Sequence, residues 1–255
     1  MFKRISIQQE IQFQKRNIIE KKARYLATNP LERYNTDAGY RRKIDLIQNQ
    51  LSLEPRGLIL DVGGNTAGEA TILQNLGYEF VVGDINEYAL VISRERAQKY
   101  GLRTPRYVSL DAHALPFPKD TFEQVTVIEA LHHFPDYAQA LDEVFRVLKP
   151  GGRFFSLEPY RLNPIRRLTE IRDYWRGTIE TSFSVAQMRG LLSASTFESI
   201  SIEKISLGKT DWKLGEVPGY RRWFARFNRW LNVKCPAAFG SLMITAQKPA
   251  DAASL

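Results

Sequence analysis

From residue 57 onward the apolar positions fall into short β-rich runs separated by longer stretches of helical spacing. The runs "LILDV" (58–62), "EFVVG" (79–83), "RYVSL" (106–110), "QVTVI" (124–128) and "GRFFSL" (152–157) read as strands. Strands at this spacing need crossover connections, which predicts a parallel sheet. The connections read as helices. One runs from about Thr66 to Leu76 and stops at Gly77; "NEYALVISRERAQKYG" opens on an Asn cap and closes at Gly101; a third starts near Pro135 and ends at Pro150. In the third, Leu141, Val144, Phe145 and Leu148 recur at helical spacing and are expected to face the sheet.

After the fifth run the rhythm changes. Residues 160–195 read as two helices, the second capped by Ser184, and "ESISIEKIS" (198–206) and "SLMITAQ" (241–247) alternate apolar and polar as strands do. Between those two lies an insert of about thirty residues without strand pattern, too long for a simple hairpin connection. Residues 1–56 are polar and helical in pattern, with no repeat or low-complexity tract anywhere in the chain.

Composition narrows the class. At 255 residues, 44% hydrophobic and 25% charged, the chain has the make-up of an ordinary globular protein, not of a disordered one. Its single cysteine, Cys235, excludes an intramolecular disulfide. The start, "MFKRISIQQEIQFQKR", lacks an apolar signal core, and no stretch approaches the roughly 20 apolar residues of a membrane span, so a cytoplasmic location is expected. The net charge of +8 is unevenly spread: Lys and Arg outnumber Asp and Glu 12 to 6 over residues 1–56 and 15 to 8 over 161–255, but are outnumbered 9 to 14 over 57–160. An acidic centre between basic flanks is either a solvated surface or the mark of an anionic partner, a membrane surface or nucleic acid.

Candidate chemistry clusters where a parallel sheet binds ligands, at the carboxyl ends of the strands. Asp61 to Gly68 follows the first predicted strand, Asp84 the second, Asp111 the third and Glu129 the fourth. A glycine loop opening a helix, with an acid about twenty residues later, can hold a dinucleotide. Here the glycines stand at 63, 64 and 68, off the G-x-G-x-x-G spacing, and Asp61 just before them disfavours a phosphate and favours a cation.

Taken in order, the motifs resemble those of the class I S-adenosylmethionine-dependent methyltransferases, in the small-molecule group that includes quinone-biosynthesis-type enzymes. "LILDVGGNTAG" and "VVGDIN" match the first two motifs; "LDAHALPFPKDTFEQVTV", "ALHHFPD" and "EVFRVLKPGGRFFSLEP" resemble the segments around the third, fourth and fifth strands. The resemblance implies a Rossmann-like, mostly parallel seven-stranded α/β sheet with helices on both faces and the last strand antiparallel. It further implies an N-terminal helical cap (1–56) and a methyltransferase domain (57–255) whose helical additions, 160–196 and 207–240, lie on the substrate side. For the cofactor S-adenosylmethionine it places Gly63, Gly64, Asn65 and Gly68 against the methionine part, with Asp61 near its ammonium. It places Asp84 on the ribose hydroxyls, Asp111 and Ala112 at the adenine edge, Ile85 on the adenine face, and Glu129 and Ala130 beside the methionyl group. The sequence departs from the family's D-x-G-x-G-x-G at Asn65 and Ala67; Asn tolerates positive φ, so the turn can survive there.

Methyl transfer needs positioning more than side-chain chemistry. His132 and His133 are candidates for a base that deprotonates the acceptor, with the alternative that both are structural. Tyr34, Tyr40, Tyr160, Arg161, Trp175 and Trp212 are candidates for lining an acceptor pocket. No metal site is expected. "GYRRWFARFNRWLNV" is amphipathic, with Trp223, Phe224, Phe227, Trp230 and Leu231 on one face and Arg222, Arg226 and Arg229 on another. It reads as a cap packed on the domain, as a peripheral membrane contact through residues 220–231, or as a surface for an anionic substrate or nucleic acid. The expected partner is a small acceptor, lipophilic or anionic, and not a stable nucleic acid. The competing readings are a nucleic-acid methyltransferase, which the Glu-Ala-Leu-His-His sequence after the fourth strand disfavours, a non-catalytic nucleoside-binding or regulatory protein, and a nicotinamide-dependent oxidoreductase.

Overall fold

The computed structural model describes residues 7–51, 57–161, 181–205 and 240–251, with the single positions 170, 226, 230 and 234. Three helices come first: α1 (Ile7–Ala27), α2 (Pro30–Thr36) and α3 (Ala38–Gln50). Strands and helices then alternate: β1 (Leu58–Val62), α4 (Gly68–Asn75), β2 (Glu79–Asp84), α5 (Glu87–Lys99), β3 (Arg106–Ser109), β4 (Phe122–Ile128), α6 (Tyr137–Val147), β5 (Leu148–Pro159), α7 (Val185–Ala194), β6 (Glu198–Ile205) and β7 (Ser241–Gln247).

All seven expected strands are present in one sheet, ordered β3-β2-β1-β4-β5-β7-β6. β1 to β5 run parallel, and β7 is antiparallel to both β5 and β6. Successive residues of a strand point to opposite faces, so Leu60, Val125, Val127 and Phe154 join one buried cluster while Ile59, Val82, Phe155 and Leu157 join the other. α6 and α7 cover the first face through Leu141, Val144, Met188 and Leu192; α3 and α4 cover the second through Ile44, Ile47, Ile72 and Leu73. α1 lies on α5, where Ile18 meets Ala89 and Ile92 and Lys22 pairs with Glu95 at 3.2 Å.

Two helix boundaries differ from expectation for backbone reasons. The first crossover helix begins at Gly68 and not near Thr66, because Ala67 is left-handed (φ +48°) and cannot extend the helix backward. The third ends at Val147: Leu148 turns extended (φ −69°, ψ 138°) and pairs with Phe122, because Pro150 cannot continue the helix. Leu141 and Val144 face the sheet as expected, whereas Leu148 does so as the first residue of β5 and Phe145 packs edge-on against Phe197. Most of the first expected helix of 160–195, apart from the helical Glu170, most of the 207–240 insert and Cys235 lie outside the described residues; of the amphipathic segment, only Arg226 and Trp230 are described, both helical and exposed. No described helix is long and apolar enough to cross a membrane.

Candidate active site

The strand order reverses between β1 and β4, and the crevice this leaves at their carboxyl ends holds a cavity of about 370 Å³. Two loops build its floor.

The loop after β1 is held by its own backbone. The Gly63 and Gly64 N–H groups both donate to Gly83 O, at 2.8 and 3.2 Å. Gly63 has φ +74°, and a Cβ on it would stand 2.6 Å from Ala130 Cβ; one on Gly64 would meet Val82 Cγ1 at 2.4 Å and Asp61 Oδ2 at 2.8 Å. Glycine is therefore required at both positions by packing against β2 and the loop after β4. Asn65 is left-handed (φ +48°), and its N–H donates to Asp84 Oδ2 at 2.7 Å. Its side-chain oxygen is buried without a hydrogen-bond partner. From α5, the Arg96 guanidinium donates to Thr66 O at 2.5 Å.

Asp84 closes the ribose side of the expected site. Its other oxygen accepts from Asn86 N–H at 2.8 Å, so each oxygen keeps a lone pair for a ligand hydroxyl. Burial pushes its carboxyl up, against the opposing pull of the Asn86 and Asn65 N–H groups and the nearby His133. Asp111 Oδ1 accepts from His113 N–H at 2.9 Å and lies 2.6 Å from His113 Nδ1. His113 Nε2 accepts from Asp136 N–H at 3.3 Å, which puts the ring proton on Nδ1 facing Asp111.

The loop after β4 is held by a side chain. Glu129 is left-handed (φ +53°) and its N–H donates to Leu157 O at 2.8 Å. Beyond it, the fully buried Glu158 of β5 accepts through Oε1 from the N–H groups of Ala130 (3.3 Å) and Leu131 (3.0 Å) and from Ser156 Oγ (3.3 Å); its Oε2 lies 2.7 Å from His132 Nδ1. Burial raises the Glu158 carboxyl to about 8 despite those donors. His133 stacks on His132 with ring centroids 4.2 Å apart, and its Nδ1 lies 3.3 Å from Glu10 Oε1 of α1.

Of the residues expected at the cofactor site, Gly63, Gly64, Asn65, Asp84, Ile85, Asp111, Ala112, Glu129 and Ala130 all line the cavity, and so does His133. Asp61, Gly68 and His132 do not. Asp61 sits beneath the loop, accepting from Thr126 Oγ1 at 2.8 Å, its carboxyl pushed by burial to about 7. Gly68 sits under the Tyr40 hydroxyl, and His132 is buried against Glu158. The expected acceptor residues lie elsewhere. Tyr34 donates to Asp45 Oδ1 at 2.9 Å, Tyr40 is buried under the Arg33 guanidinium, Tyr160 is in the core beneath Lys204, and Arg161 is exposed beyond β5. Trp175 and Trp212 lie outside the described residues.

Sequence reasoning missed the cap's contribution to the lining: Glu10, Ile11, Gln14 and Tyr25 from α1, Lys43 from α3, with Glu69 from α4. Lys43 Nζ lies 2.9 Å from both Glu69 Oε1 and Glu129 Oε2. One signal was present. Tyr40, Ile44 and Ile47 make the buried stripe of α3, and Lys43 falls on the same side, three residues after Tyr40 and four before Ile47. Among the described residues no group of three or more His, Cys, Asp or Glu is arranged to hold a metal ion.

Comparison with known proteins agrees with this geometry. Residues 60–156 match the methyltransferase domain family Methyltransf_11. The demethylmenaquinone methyltransferase of Thermus thermophilus is 38% identical over 138 residues, 53% of this chain and 60% of that protein. A ubiquinone/menaquinone biosynthesis C-methyltransferase, UbiE, of a Marinomonas species is 34% identical over 115 residues, 43% of this chain and 45% of that protein. The chain thus spans less than two thirds of the length of these relatives. Phosphoethanolamine N-methyltransferase 2 of Haemonchus contortus, solved with S-adenosyl-L-methionine, shares the fold, with a TM-score of 0.61 at 16% identity over 82% of this chain and 52% of that one.

Proposed function

We propose that residues 60–156, which match the methyltransferase domain family, form a class I S-adenosylmethionine-dependent methyltransferase domain of the quinone-biosynthesis type, and that the chain transfers a methyl group to O, N or C of a small acceptor. The observation that carries the reading is the placement of Asp84, Asp111 and Glu129, from three successive strand ends, around one cavity.

The residues present fit S-adenosylmethionine. A cavity of about 370 Å³ is of the size that small cofactors use. Its lining carboxylates, Glu10, Glu69, Asp84, Asp111 and Glu129, suit a sulfonium and an ammonium and oppose the phosphates of a dinucleotide. Asp84 keeps two lone pairs for ribose hydroxyls, Asp111 and Ala112 stand at the adenine edge, and Ile85 offers an apolar face. Bound there, the cofactor supplies an electrophilic methyl group.

The protein's part is to orient, exclude water and hold a proton. His133 lines the cavity and serves as the base that takes a proton from the acceptor, with Glu10 beside its Nδ1 orienting the ring. His132 holds the loop through Glu158 and does not touch the acceptor. The names of the relatives favour a quinone-type lipophilic acceptor and methylation at carbon.

Isothermal calorimetry with S-adenosylmethionine and S-adenosylhomocysteine tests the reading. Both should bind, NADH should not, and absence of binding by both sulfur nucleosides overturns it. With labelled methyl donor and a demethylated menaquinol as acceptor, the His133→Ala variant should keep nucleoside affinity and lose about a hundredfold in transfer rate.

A further inference from the structure

Acids outnumber bases around the cavity. Among the described residues five carboxylates and one lysine line it, with no arginine, and that lysine, Lys43, lies 2.9 Å from two of the five, Glu69 and Glu129. Asp84, Asp111 and Glu129 follow strands and Glu69 belongs to α4; the fifth, Glu10, comes from α1, outside the segment that matches the methyltransferase family. Glu10 is buried, 7% exposed. Its Oε1 accepts from Gln14 Nε2 at 2.8 Å and lies 3.3 Å from Nδ1 of His133, the proposed base. Asp84 and Glu158 act on His133 through their charge as well. The base thus faces carboxylates from α1, β2 and β5, beside the ring of His132.

Charge decides which nucleophile is favoured beside such a base. A hydroxyl acceptor, or a hydroquinone methylated at carbon, must become an oxyanion before it attacks, and a buried carboxylate next to the base opposes that negative charge. An amine runs the other way. R–NH3+ gives one proton to His133, the freed lone pair attacks the methyl carbon, the S–CH3 bond breaks with its electron pair going to sulfur, and the positive charge passes from sulfur to nitrogen. Glu10 attracts the incoming ammonium and stabilises the imidazolium and the N-methylammonium that replace it. Ile11 of α1 and Phe134 of the loop after β4 line the same cavity and offer an apolar wall. Resting on the cofactor reading above, we propose that the acceptor is an amine with an apolar body, methylated on nitrogen, and that Glu10 sets this preference over a hydroxyl. The relatives' names favour carbon, but the residue that decides here lies in the cap, outside the matched segment.

Three ligands of similar shape test it: 1-naphthylmethylamine, 1-naphthylmethanol and 1-naphthoate, which are cation, neutral and anion near neutral pH. Calorimetry on the protein saturated with S-adenosylhomocysteine should rank them in that order, the amine about tenfold tighter than the alcohol. Glu10→Gln should shrink that ratio to about threefold or less, and Glu10→Asp should keep it. With labelled methyl donor, the label should appear on the amine nitrogen, with kcat/KM about tenfold above that for demethylated menaquinol. Glu10→Gln should lower the ratio of the two rates, whatever loss both share from a less ordered His133 ring. Equal affinity for amine and alcohol, no label on nitrogen, demethylated menaquinol as the better acceptor, or unchanged ratios in Glu10→Gln overturn the proposal. Any of these with S-adenosylhomocysteine bound leaves the cofactor reading standing. If neither S-adenosylmethionine nor S-adenosylhomocysteine binds the wild type, that reading has failed and the amine proposal falls with it.

Discussion

The loops after β1 and after β4 meet at Gly63 and Ala130 and line one cavity, yet they are fixed by opposite means. The first is tied by backbone to backbone: Gly63 and Gly64 hang from Gly83 O, and Asn65 from the Asp84 carboxylate that follows in the same β-strand pair. The second, past Glu129, has a single backbone tie to another segment among the described residues, Thr181 N–H to His132 O at 3.1 Å, and otherwise hangs from Glu158, a carboxyl buried in β5 about thirty residues downstream. Each carries non-glycine residues at positive φ, Asn65 and Ala67 in one and Glu129 in the other. A loop held locally depends on having no side chain at its contact points; a loop held from a distance depends on one side chain having all its partners.

The largest effect should come from removing the distant anchor. Glu158→Ala leaves the Ala130 and Leu131 N–H groups and His132 Nδ1 buried without their partner, and at 1 to 3 kcal/mol for each unsatisfied group the loss should be about 4 kcal/mol in a denaturant titration. Glu158→Gln keeps an oxygen for the two N–H groups and should cost less than about half of that. A Gln variant as damaged as the Ala variant would show that charge, and not the hydrogen-bond set, holds the loop.

The same residue sets a pH dependence. The native Glu158 carboxyl is raised to about 8, and that of Asp61 to about 7, both by burial, against about 4 in an unfolded chain. For an acid whose native value lies above its unfolded value, the protonated native form is favoured. The stability it contributes is complete below about pH 4 and is lost as pH rises through 7 to 8. Denaturant midpoints should therefore fall between pH 5 and 8 in the wild type, and less steeply in Glu158→Gln; an unchanged slope in that variant would remove Glu158 as its source.

Next in size is the local anchor. A valine at Gly64 would put its Cβ 2.4 Å from Val82 Cγ1 and 2.8 Å from Asp61 Oδ2, so β1 and β2 must part or the loop must lift, at about 3 kcal/mol. Because Gly64 also borders the cavity, calorimetric S-adenosylhomocysteine affinity should fall with stability. A stable Gly64→Val with intact binding would mean the loop is not pinned to β2.

This contrast also explains what the sequence disclosed. The sheet was legible because each strand writes its two-faced burial in consecutive residues, Ile59 with Leu60 and Phe154 with Phe155. The cavity lining from Gly63 to Ala130 was legible because glycines and acids stand directly at strand ends. Glu158 was not, because a buried acid at the end of an apolar run looks like any loop carboxylate until its partners 26 to 28 residues away are placed. The cap was hardest: spacing within α3 puts Lys43 on the buried side, but that Glu10 and Lys43 reach the cavity follows only from the docking of α1 on α5 and of α3 on the sheet. Tyr34 and Tyr40 drew attention for their chemistry, and their neighbours Asp45 and Arg33 use it within the cap.

The smallest effect concerns the shared backbone oddity. Ala67 is held at φ +48°, where an L-residue costs about 1 to 2 kcal/mol, and Gly would relieve this. Against that stand the lost burial of one methyl, about 0.8 kcal/mol at a position 2% exposed, and the greater unfolded-state freedom of Gly, about 0.5 to 1 kcal/mol. The opposing contributions nearly cancel, so Ala67→Gly should change stability by less than about 1 kcal/mol and leave nucleoside affinity intact. Glu129→Gly relieves the same geometry but removes a carboxylate from Lys43 and should lower S-adenosylhomocysteine affinity. If both glycine variants behaved alike, the two loops would differ in their anchors but not in what their strained residues do.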